Sequence, residues 1–287
     1  MVKIIDGIAI AKQHREQIKN KSLEYKSKGI TPTLAVVLVG NNRASISYVN
    51  SKHKACTANE INSIKIELEE DISENNLLDN IDKLNKDKNI HGILVQLPLP
   101  KHIDSEKILN AIYPEKDVDG FHPINVGKLA IGNAKLIPCT PLGIMSLIKS
   151  TNENIEGKNA LVIGRSNIVG KPVASLLLQE NATVTIAHSK TNNLKELIKN
   201  ADIIVSCVGV AHILNAQYEY KKTATIIDVG NNYKDDKLVG DVDFENVKDK
   251  VSYISPVPGG VGPMTITMLM YNTLKAIELQ YKQFSQN

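Results

Sequence analysis

Short apolar segments alternate along the chain with longer polar segments in which apolar residues recur every three or four positions. The short runs predict buried strands, and the longer spacing predicts amphipathic helices. The predicted strands span residues 34–39, 64–68, 92–97, 160–163, 183–187, 203–206 and 225–229. The predicted helices span residues 8–28, 43–59, 74–87, 168–179 and 193–199, and a last one begins at Pro263. This alternation predicts an α/β protein whose parallel sheets are covered on both faces.

Residues 114–141 interrupt the alternation. They are rich in proline, glycine and aspartate and show no helical or strand period, which predicts a connection between two halves of the chain. A length of 287 residues agrees with two medium domains or one large one.

Charge and composition exclude several classes of function. The chain has 34 basic and 31 acidic residues, with no run of five Lys or Arg, and 4% aromatic residues, so we predict no nucleic-acid binding. Its apolar runs are too short for a membrane span, and Asp6 interrupts the region where a signal peptide needs apolar residues. We therefore expect a cytoplasmic protein without a membrane partner.

The cysteines and histidines predict no metal site. Cys56, Cys139 and Cys207 lie far apart, which argues against a disulfide framework and favours buried thiols. The seven histidines form no paired metal motif.

A glycine turn follows the strand at 160–163, where Gly164-Arg165-Ser166 leads through Gly170 into a helix. Strand, glycine turn and helix N-terminus together form a dinucleotide phosphate site, because glycine lets the backbone approach a pyrophosphate. The spacing differs from the usual GxGxxG, and a plain strand-to-helix turn is the alternative.

The end of the next strand predicts which dinucleotide is bound. An acidic residue there would hold the ribose hydroxyls of NAD, but the sequence reads His188-Ser189-Lys190. Hydroxyl and cationic groups suit a 2′-phosphate, and Arg165 adds a planar cation. This pattern predicts NADP.

In the first half, Tyr48 and Lys52 are four residues apart and share one helix face. We expect them at the rim of the apolar stripe of Ile46, Val49 and Cys56, although a solvated surface pair is the alternative. The same Tyr-x-x-x-Lys pair occurs in short-chain dehydrogenases, where it follows the dinucleotide motif. Here it precedes that motif by more than a hundred residues, which excludes that family.

Three further segments are candidates for ligand contact. Gln96 ends the third predicted strand, at the sheet edge where parallel sheets place their sites. Asp117-Val118-Asp119-Gly120 would ordinarily form a turn. The glycine- and proline-rich residues 256–263 offer exposed backbone to a ligand edge.

Together these segments resemble the bifunctional methylenetetrahydrofolate dehydrogenase/cyclohydrolase family along nearly the whole chain. The matching motifs lie at residues 44–52, 95–98, 114–121, 138–141, 164–166, 169–172 and 256–265. The resemblance implies a homodimer of two α/β domains about a cleft. The folate-binding catalytic domain would span residues 1–140 and be completed by a C-terminal helix at 264–287, and a Rossmann-like NADP-binding domain would span residues 141–263.

The resemblance also assigns roles to individual residues. The catalytic positions of the family fall on Lys52, Tyr48 and Gln96. The positions that bind tetrahydrofolate derivatives fall on Asp119, Tyr48, Gly259, Gly260 and Pro263. The positions that bind NADP fall on Gly164, Arg165, Ser166, Ser189, Asn231 and Thr265. Three positions depart from the usual residue of the family, namely Lys128, Asn231 and Ala211.

The implied function is the NADP-dependent oxidation of 5,10-methylenetetrahydrofolate, followed by hydrolysis of the methenyl product to 10-formyltetrahydrofolate, in one-carbon metabolism and purine biosynthesis. A dehydrogenase without hydrolase activity is a rival hypothesis, and Lys52 argues against it. A non-catalytic NADP-sensing regulator is another, but it has no use for Tyr48, Lys52, Gln96 and Asp119 together.

Overall fold

The computed structural model describes residues 2–235 and 237–281, which form two compact units. The six-stranded unit comprises the chain up to Lys12 together with Thr140–Thr265. The three-stranded unit comprises Gln13–Cys139 and, of the described C-terminal residues, 266–281. Within the described ranges, no helix combines the length and apolar character that crossing a bilayer requires.

Eleven strands and ten α-helices are present in these ranges. The strands are β1 (Lys3–Ile4), β2 (Thr33–Val39), β3 (Asn62–Leu68), β4 (Gly92–Val95), β5 (Asn159–Ile163), β6 (Thr183–Ala187), β7 (Ile203–Ser206), β8 (Thr225–Asp228), β9 (Asn232–Lys234), β10 (Lys237–Val239) and β11 (Tyr253–Ile254). The helices are α1 (Gly7–Ser27), α2 (Arg43–Ala58), α3 (Glu74–Lys86), α4 (Ser105–Ala111), α5 (Pro123–Ala130), α6 (Cys139–Lys149), α7 (Gly170–Gln179), α8 (Leu194–Asn200), α9 (Phe244–Val247) and α10 (Val261–Gln280). A 3₁₀ turn, Lys248–Lys250, follows α9.

The three-stranded unit is built on a parallel sheet of order β3-β2-β4. All seven residues of the central strand β2 are buried, as expected of a parallel strand covered on both faces. Ala35 and Val37 of this strand belong to one hydrophobic cluster with Leu77 and Ile81 of α3. The residues that follow β2 and β4 lie at one edge of the sheet, because parallel strands end on the same side.

The six-stranded unit contains a parallel sheet of order β1-β11-β8-β7-β5-β6. From β5 the chain continues to β6 on one side and then returns to β7 on the other side of β5. Ligands of open α/β sheets bind where the strand order reverses in this way, beyond the carboxyl ends of the strands. The crevice between the ends of β5 and β7 is therefore the binding position that this topology provides. The expected α/β class with parallel sheets is confirmed.

The boundary between the units differs from the predicted one at the N-terminus. Residues 1–140 were expected in one domain, but the chain up to Lys12 belongs to the six-stranded unit. The reason is strand pairing, since Lys3 and Ile4 lie parallel to Tyr253 and Ile254 of β11. A strand of two residues leaves no periodic signal in the sequence.

Two further expectations were wrong. The connection at 114–141 contains α5, which begins with Pro123 after His122, whose ring nitrogen accepts a hydrogen bond from the Ile124 amide. Short helices capped in this way are hidden among prolines and glycines. The last helix begins at Val261, so Pro263 is its third residue rather than its first.

Candidate active site

Helix α2 carries Tyr48 and Lys52. The side chain of Asn42 caps the helix by accepting a hydrogen bond from the Ser45 amide at 3.1 Å. Lys52 shares the buried face with Val49 and is only 6% exposed. The prediction that Lys52 lies at the rim of this face was wrong, because the lysine lies within the buried face. Tyr48 does lie at the rim, with 37% of its surface exposed.

The amine of Lys52 contacts both other predicted catalytic residues. Its Nζ donates a hydrogen bond to Oε1 of Gln96 at 3.0 Å. The same nitrogen lies 4.6 Å from the centroid of the Tyr48 ring, a cation–π distance. The Gln96 amide nitrogen donates to the Leu97 carbonyl at 2.7 Å, which leaves the amide oxygen to accept from the lysine. Tyr48 and Lys52 on helix α2 thus lie together with Gln96, which follows strand β4.

Burial controls the protonation of Lys52. Desolvation lowers the pKa of its amine, and the negative charge of the Asp119 carboxylate opposes part of that fall. Its hydrogen-bond partner on Gln96 is a neutral amide rather than a carboxylate. A lower pKa increases the fraction of the lysine that is a free amine at a given pH, and a free amine can accept a proton.

Asp119 is the carboxylate of this site. Desolvation raises its pKa to about 6, and the positive charge of Lys52 opposes the rise while the charge of Asp117 adds to it. The Cys139 thiol donates to the Val118 carbonyl at 3.2 Å and lies 3.8 Å from Oδ1 of Asp119. Desolvation also raises the pKa of Tyr48 to about 12, with Asp119 as the second cause. The charges of Asp119 and Lys52 therefore influence each other.

The two aspartates of the DVDG segment have different surroundings. Asp117 is buried and accepts hydrogen bonds from the His122 amide at 2.8 Å and from the Asn125 side chain at 2.9 Å. These bonds hold the start of α5, so Asp117 has the ordinary structural role of a turn former. Among the residues that the structure describes, the hydrogen-bond contact of the Asp119 carboxylate is the long one with the Cys139 thiol, so the carboxylate can accept bonds from a ligand.

Sequence reasoning missed Asn272, a fully buried residue of α10. Its amide nitrogen donates to the carbonyl oxygens of Val118 at 2.8 Å and Ile137 at 2.7 Å. These bonds fix the backbone next to Asp119. No local pattern marks such a residue, since its partners are more than a hundred positions away along the chain.

In the six-stranded unit, the predicted phosphate turn follows β5. A side chain on Gly170 would collide with the Gly164 carbonyl, so the turn closes tightly only with glycine at that position. Ser166 Oγ accepts hydrogen bonds from the amides of Val169 and Gly170 at the start of α7. Arg165 is exposed beside this turn. An exposed turn, a helix N-terminus and a free-standing guanidinium fit the phosphates of a dinucleotide.

The remaining predicted cofactor residues lie in the same unit. Ser189 is exposed just after β6, and Asn231 is exposed between β8 and β9. Thr265 is in α10, where its hydroxyl lies 3.0 Å from that of Thr140. Ser189 and the phosphate turn follow the neighbouring strands β6 and β5, at the same edge of the sheet.

Gly259, Gly260 and Pro263, predicted to bind substrate, also lie in the six-stranded unit. Gly260 is buried, while Gly259 and Pro263 are partly exposed. Their contribution to substrate binding stays a prediction.

Comparison with known proteins decides which family carries this arrangement. The model of the tetrahydrofolate dehydrogenase/cyclohydrolase catalytic domain matches residues 5–119, and the model of the NAD(P)-binding domain of the same family matches residues 138–281. The chain belongs to the tetrahydrofolate dehydrogenase/cyclohydrolase family. The resemblance drawn from the sequence motifs is thereby confirmed.

Individual relatives of this family match over almost their whole length. The bifunctional protein FolD of Oceanobacillus iheyensis is 56% identical over 277 residues, which are 96% of this chain and 97% of that protein. The crystal structure of the bifunctional FolD dehydrogenase/cyclohydrolase of Campylobacter jejuni has a TM-score of 0.95 at 49% identity, covering 98% of this chain and all (100%) of that one. The Trypanosoma brucei dehydrogenase-cyclohydrolase, solved with NADP cofactor and an inhibitor, has a TM-score of 0.92 at 38% identity, covering 97% and 98% of the two chains.

Proposed function

We propose that the protein oxidises 5,10-methylenetetrahydrofolate with NADP and hydrolyses the methenyl product to 10-formyltetrahydrofolate. The observation that carries this conclusion is the contact of the buried Lys52 amine with Gln96 and Tyr48, in a member of a family with both activities. The three-stranded unit, with Asp119, binds the folate. The six-stranded unit, with Gly164, Arg165, Ser166, Ser189, Asn231 and Thr265, binds NADP.

The oxidation depends on positioning. NADP, when bound, accepts the hydride that leaves the methylene carbon of the substrate. The lone pair of the adjacent folate nitrogen assists this departure, so the protein needs to supply no acid or base. Asp119 accepts two N–H bonds from the pterin edge, and Tyr48 packs against the substrate ring. Gly259, Gly260 and Pro263 complete the folate contacts.

The hydrolysis needs proton transfer. The oxygen of a water molecule bonds to the methenyl carbon, and the neutral Lys52 amine takes the proton that the water loses. The hydroxyl group on this carbon then loses its own proton as the bond between the carbon and N5 breaks, and the carbon remains on N10 as a formyl group. N5 receives one of the two protons that the water has lost, and the other is released to solvent. Gln96 holds Nζ of Lys52 in line during these transfers through the bond to its Oε1.

The wider biology that the family membership supports is part of the same proposal. The protein acts as a cytoplasmic homodimer in one-carbon metabolism and supplies purine biosynthesis. We propose no membrane or nucleic-acid partner. The chain departs from the usual family residues at Lys128, Asn231 and Ala211, and none of these residues is among the contacts of Lys52 with Gln96 and Tyr48. We propose that the chemistry of the reaction is unchanged and that Asn231 bears on the affinity for NADP.

The proposed function is tested by absorbance. Oxidation of 5,10-methylenetetrahydrofolate is followed with NADP and with NAD in parallel, and decay of the methenyl chromophore is then followed without cofactor. Both activities are expected, with NADP preferred. NADP binding without turnover of either folate would support the regulator hypothesis instead, and oxidation without hydrolysis would support the monofunctional dehydrogenase.

Arg165→Ala is expected to remove most of the preference for NADP over NAD. Loss of a charge-assisted bond to the 2′-phosphate costs about 1.5–3 kcal/mol, which corresponds to roughly 10- to 100-fold in affinity. The measurement is kcat/KM for each cofactor in the wild type, in Arg165→Ala and in Lys195→Ala, which removes an exposed cation of the same unit. Equal efficiency of the wild type with both cofactors would contradict the assignment of Arg165.

The dehydrogenase is expected to lose kcat/KM as the pH falls through about 6. Asp119 has a pKa raised to about 6, so it is a carboxylate above that pH and becomes a neutral acid below it. A protonated Asp119 cannot accept both pterin N–H bonds, and kcat/KM reports this pKa of the free enzyme. Initial rates at limiting folate between pH 5 and 8 measure this effect. We expect kcat/KM to fall about tenfold for each pH unit below the pKa of Asp119. A flat profile from pH 7 to 5 would exclude an ionised Asp119 from folate binding.

A further inference from the structure

Asp241 is a buried carboxylate of the six-stranded unit that the function described so far leaves without a role. It lies shortly after β10 and is completely inaccessible to solvent. The donors to its carboxylate come from residues 206–210, more than thirty positions earlier in the chain, and from Asn232, nine positions earlier. They are the Ser206 hydroxyl at 3.0 Å, the amides of Val208, Gly209 and Val210 at 2.8, 3.3 and 3.0 Å, and the Asn232 side chain at 3.0 Å.

A second buried carboxylate holds Asp241 itself. Oδ1 of Asp228 accepts hydrogen bonds from the amides of Asp241 and Gly230, both at 2.9 Å, and Oδ2 accepts from the Val242 amide at 2.9 Å. A side chain on Gly240 would collide with this carboxylate, so the segment can approach Asp228 only with glycine at that position. Asp228 ends β8, and the chain from 240 to 242 is therefore fixed to the sheet.

The segment that Asp241 holds borders the crevice at the reversal of strand order. Residues 207–210 follow β7, and a side chain on Gly164 would lie 2.7 Å from the Cys207 carbonyl oxygen. The segment thus packs against the phosphate turn after β5. Asn232, the other partner, is adjacent to Asn231, a proposed cofactor residue.

The chemistry of this segment decides which part of a dinucleotide it receives. Three consecutive backbone N–H groups form an anion-binding arrangement, but here the protein's own carboxylate occupies it. The segment therefore has no N–H groups to offer to a phosphate at these positions. The phosphates belong at the turn after β5, and the 2′-phosphate ribose belongs beyond β6. The amide and ring of the nicotinamide end carry no phosphate, and they are left for the ends of β7 and β8.

We propose that Asp241 is a positioning residue for NADP, which holds residues 207–210 and Asn232 in the shape that receives the nicotinamide end. Asp241 acts through these residues and does not touch the cofactor itself. The inference rests on the cofactor placement proposed above. Its consequence is a separation of the two activities, because hydrolysis of the methenyl substrate requires no NADP.

The test is Asp241→Asn in the full-length protein. The amide keeps the volume of the carboxylate, but it loses the charge and one acceptor oxygen and places an NH₂ group opposite existing donors. We expect the KM and the Kd for NADP to rise about 10- to 100-fold, as for loss of hydrogen bonds to a charged group. The KM for the folate and the hydrolysis of supplied methenyltetrahydrofolate should stay within about twofold of the wild type, as no folate residue is altered.

Hydrogen exchange measured by mass spectrometry reports whether residues 208–210 are still held in place. Amides of residues 208–210 should exchange faster in Asp241→Asn, while those of β5 and β7 keep their protection. Asp243→Asn is the matched control. Asp243 lies two residues further on, and within the described part of the chain its carboxylate accepts a hydrogen bond from the Asn246 side chain and none from residues 206–210. An unchanged Kd for NADP in Asp241→Asn would overturn the proposal.

If the amides of β5 and β7 also exchange faster in Asp241→Asn, two milder variants test the proposal. Asn232→Ala and Ser206→Ala each remove one donor to the carboxylate and leave the other four in place. A weaker Kd for NADP with intact strand protection supports the proposal, and an unchanged Kd overturns it. If Arg165→Ala also leaves NADP binding unchanged, the proposed cofactor placement fails, whereas loss in Arg165→Ala alone refutes only the role of Asp241.

Discussion

Lys52→Met is expected to lower the cyclohydrolase rate by about 10²- to 10⁴-fold, the usual contribution of a positioned proton-transfer group. Methionine keeps the unbranched apolar stem in the buried face of α2 and removes the amine. Water addition to the methenyl carbon then has no base, and the Gln96 amide oxygen loses its donor. Hydride transfer needs no base, so the variant should still oxidise its substrate and release the methenyl intermediate.

The dehydrogenase of Lys52→Met should fall by less, in a manner that depends on pH. In its protonated form, Lys52 holds down the pKa of Asp119, which desolvation raises to about 6. Without this charge the pKa of Asp119 rises further, and more of the variant carries a protonated Asp119 at neutral pH. The lost dehydrogenase activity should therefore recover as the pH increases.

Initial rates of both half-reactions between pH 6 and 9 test these statements, with circular dichroism as the check of folding. Lys54→Met is the matched control, since Lys54 is an exposed residue of the same helix. Hydrolysis at the wild-type rate in Lys52→Met would show that Lys52 is not the base. An equal loss of both activities at every pH would show that the lysine acts mainly by orienting the folate.

The surroundings of Lys52 also bear on the rival hypotheses. Burying an ammonium group is costly unless it is well compensated, and this amine has a neutral amide and an aromatic ring as its close partners. A regulator that only binds NADP gains nothing from such a residue. A dehydrogenase that performs hydride transfer alone gains little, because that step needs no base.

The sequence predicted the sheet strands well because parallel strands covered on both faces are continuous apolar runs. β7, which is buried throughout, has the predicted bounds, and the buried β2 begins one residue before the predicted strand. The edge strand β6 also has the predicted bounds, although three of its five residues are exposed. Gln96 lies just after the carboxyl end of β4, at the sheet edge where the sequence predicted it. The prediction that Lys52 lies at the rim was wrong. Sequence patterns place polar residues outside the buried face of a helix, and a buried lysine is an exception to that rule.

Residues whose role depends on distant partners were beyond prediction. Asn272 bonds the backbone at Val118 and Ile137, and Asp241 bonds residues 206–210 across more than thirty positions. Nothing in their immediate neighbours distinguishes them from ordinary polar residues. The strand β1 was not predicted for a related reason, because its two residues form a strand by pairing with the distant β11.

Asp119→Ala is expected to lower kcat/KM of both reactions by about 10²- to 10⁴-fold, since two charge-assisted hydrogen bonds to the pterin edge are lost together. Both reactions use the same bound folate, so neither should be spared. NADP binding should be nearly unchanged, because the proposed cofactor residues lie in the six-stranded unit. Isothermal titration with NADP alone and initial rates with each folate measure the separation.

The stability of the variant distinguishes a functional from a structural aspartate. Desolvation raises the pKa of Asp119 above its ordinary value, so at pH 7 folding works against its ionised form, and its removal should leave the thermal midpoint unchanged or higher. Asp117→Ala is the contrasting variant, because it removes the acceptor of the His122 amide and one of the two acceptors of the Asn125 side chain, which keeps its bond to the Pro114 carbonyl. It should destabilise the fold by about 1–3 kcal/mol for each donor left unsatisfied. If Asp119→Ala instead lost stability and NADP affinity together, Asp119 would be a turn former like Asp117, and the carboxylate that binds the folate would have to be sought elsewhere.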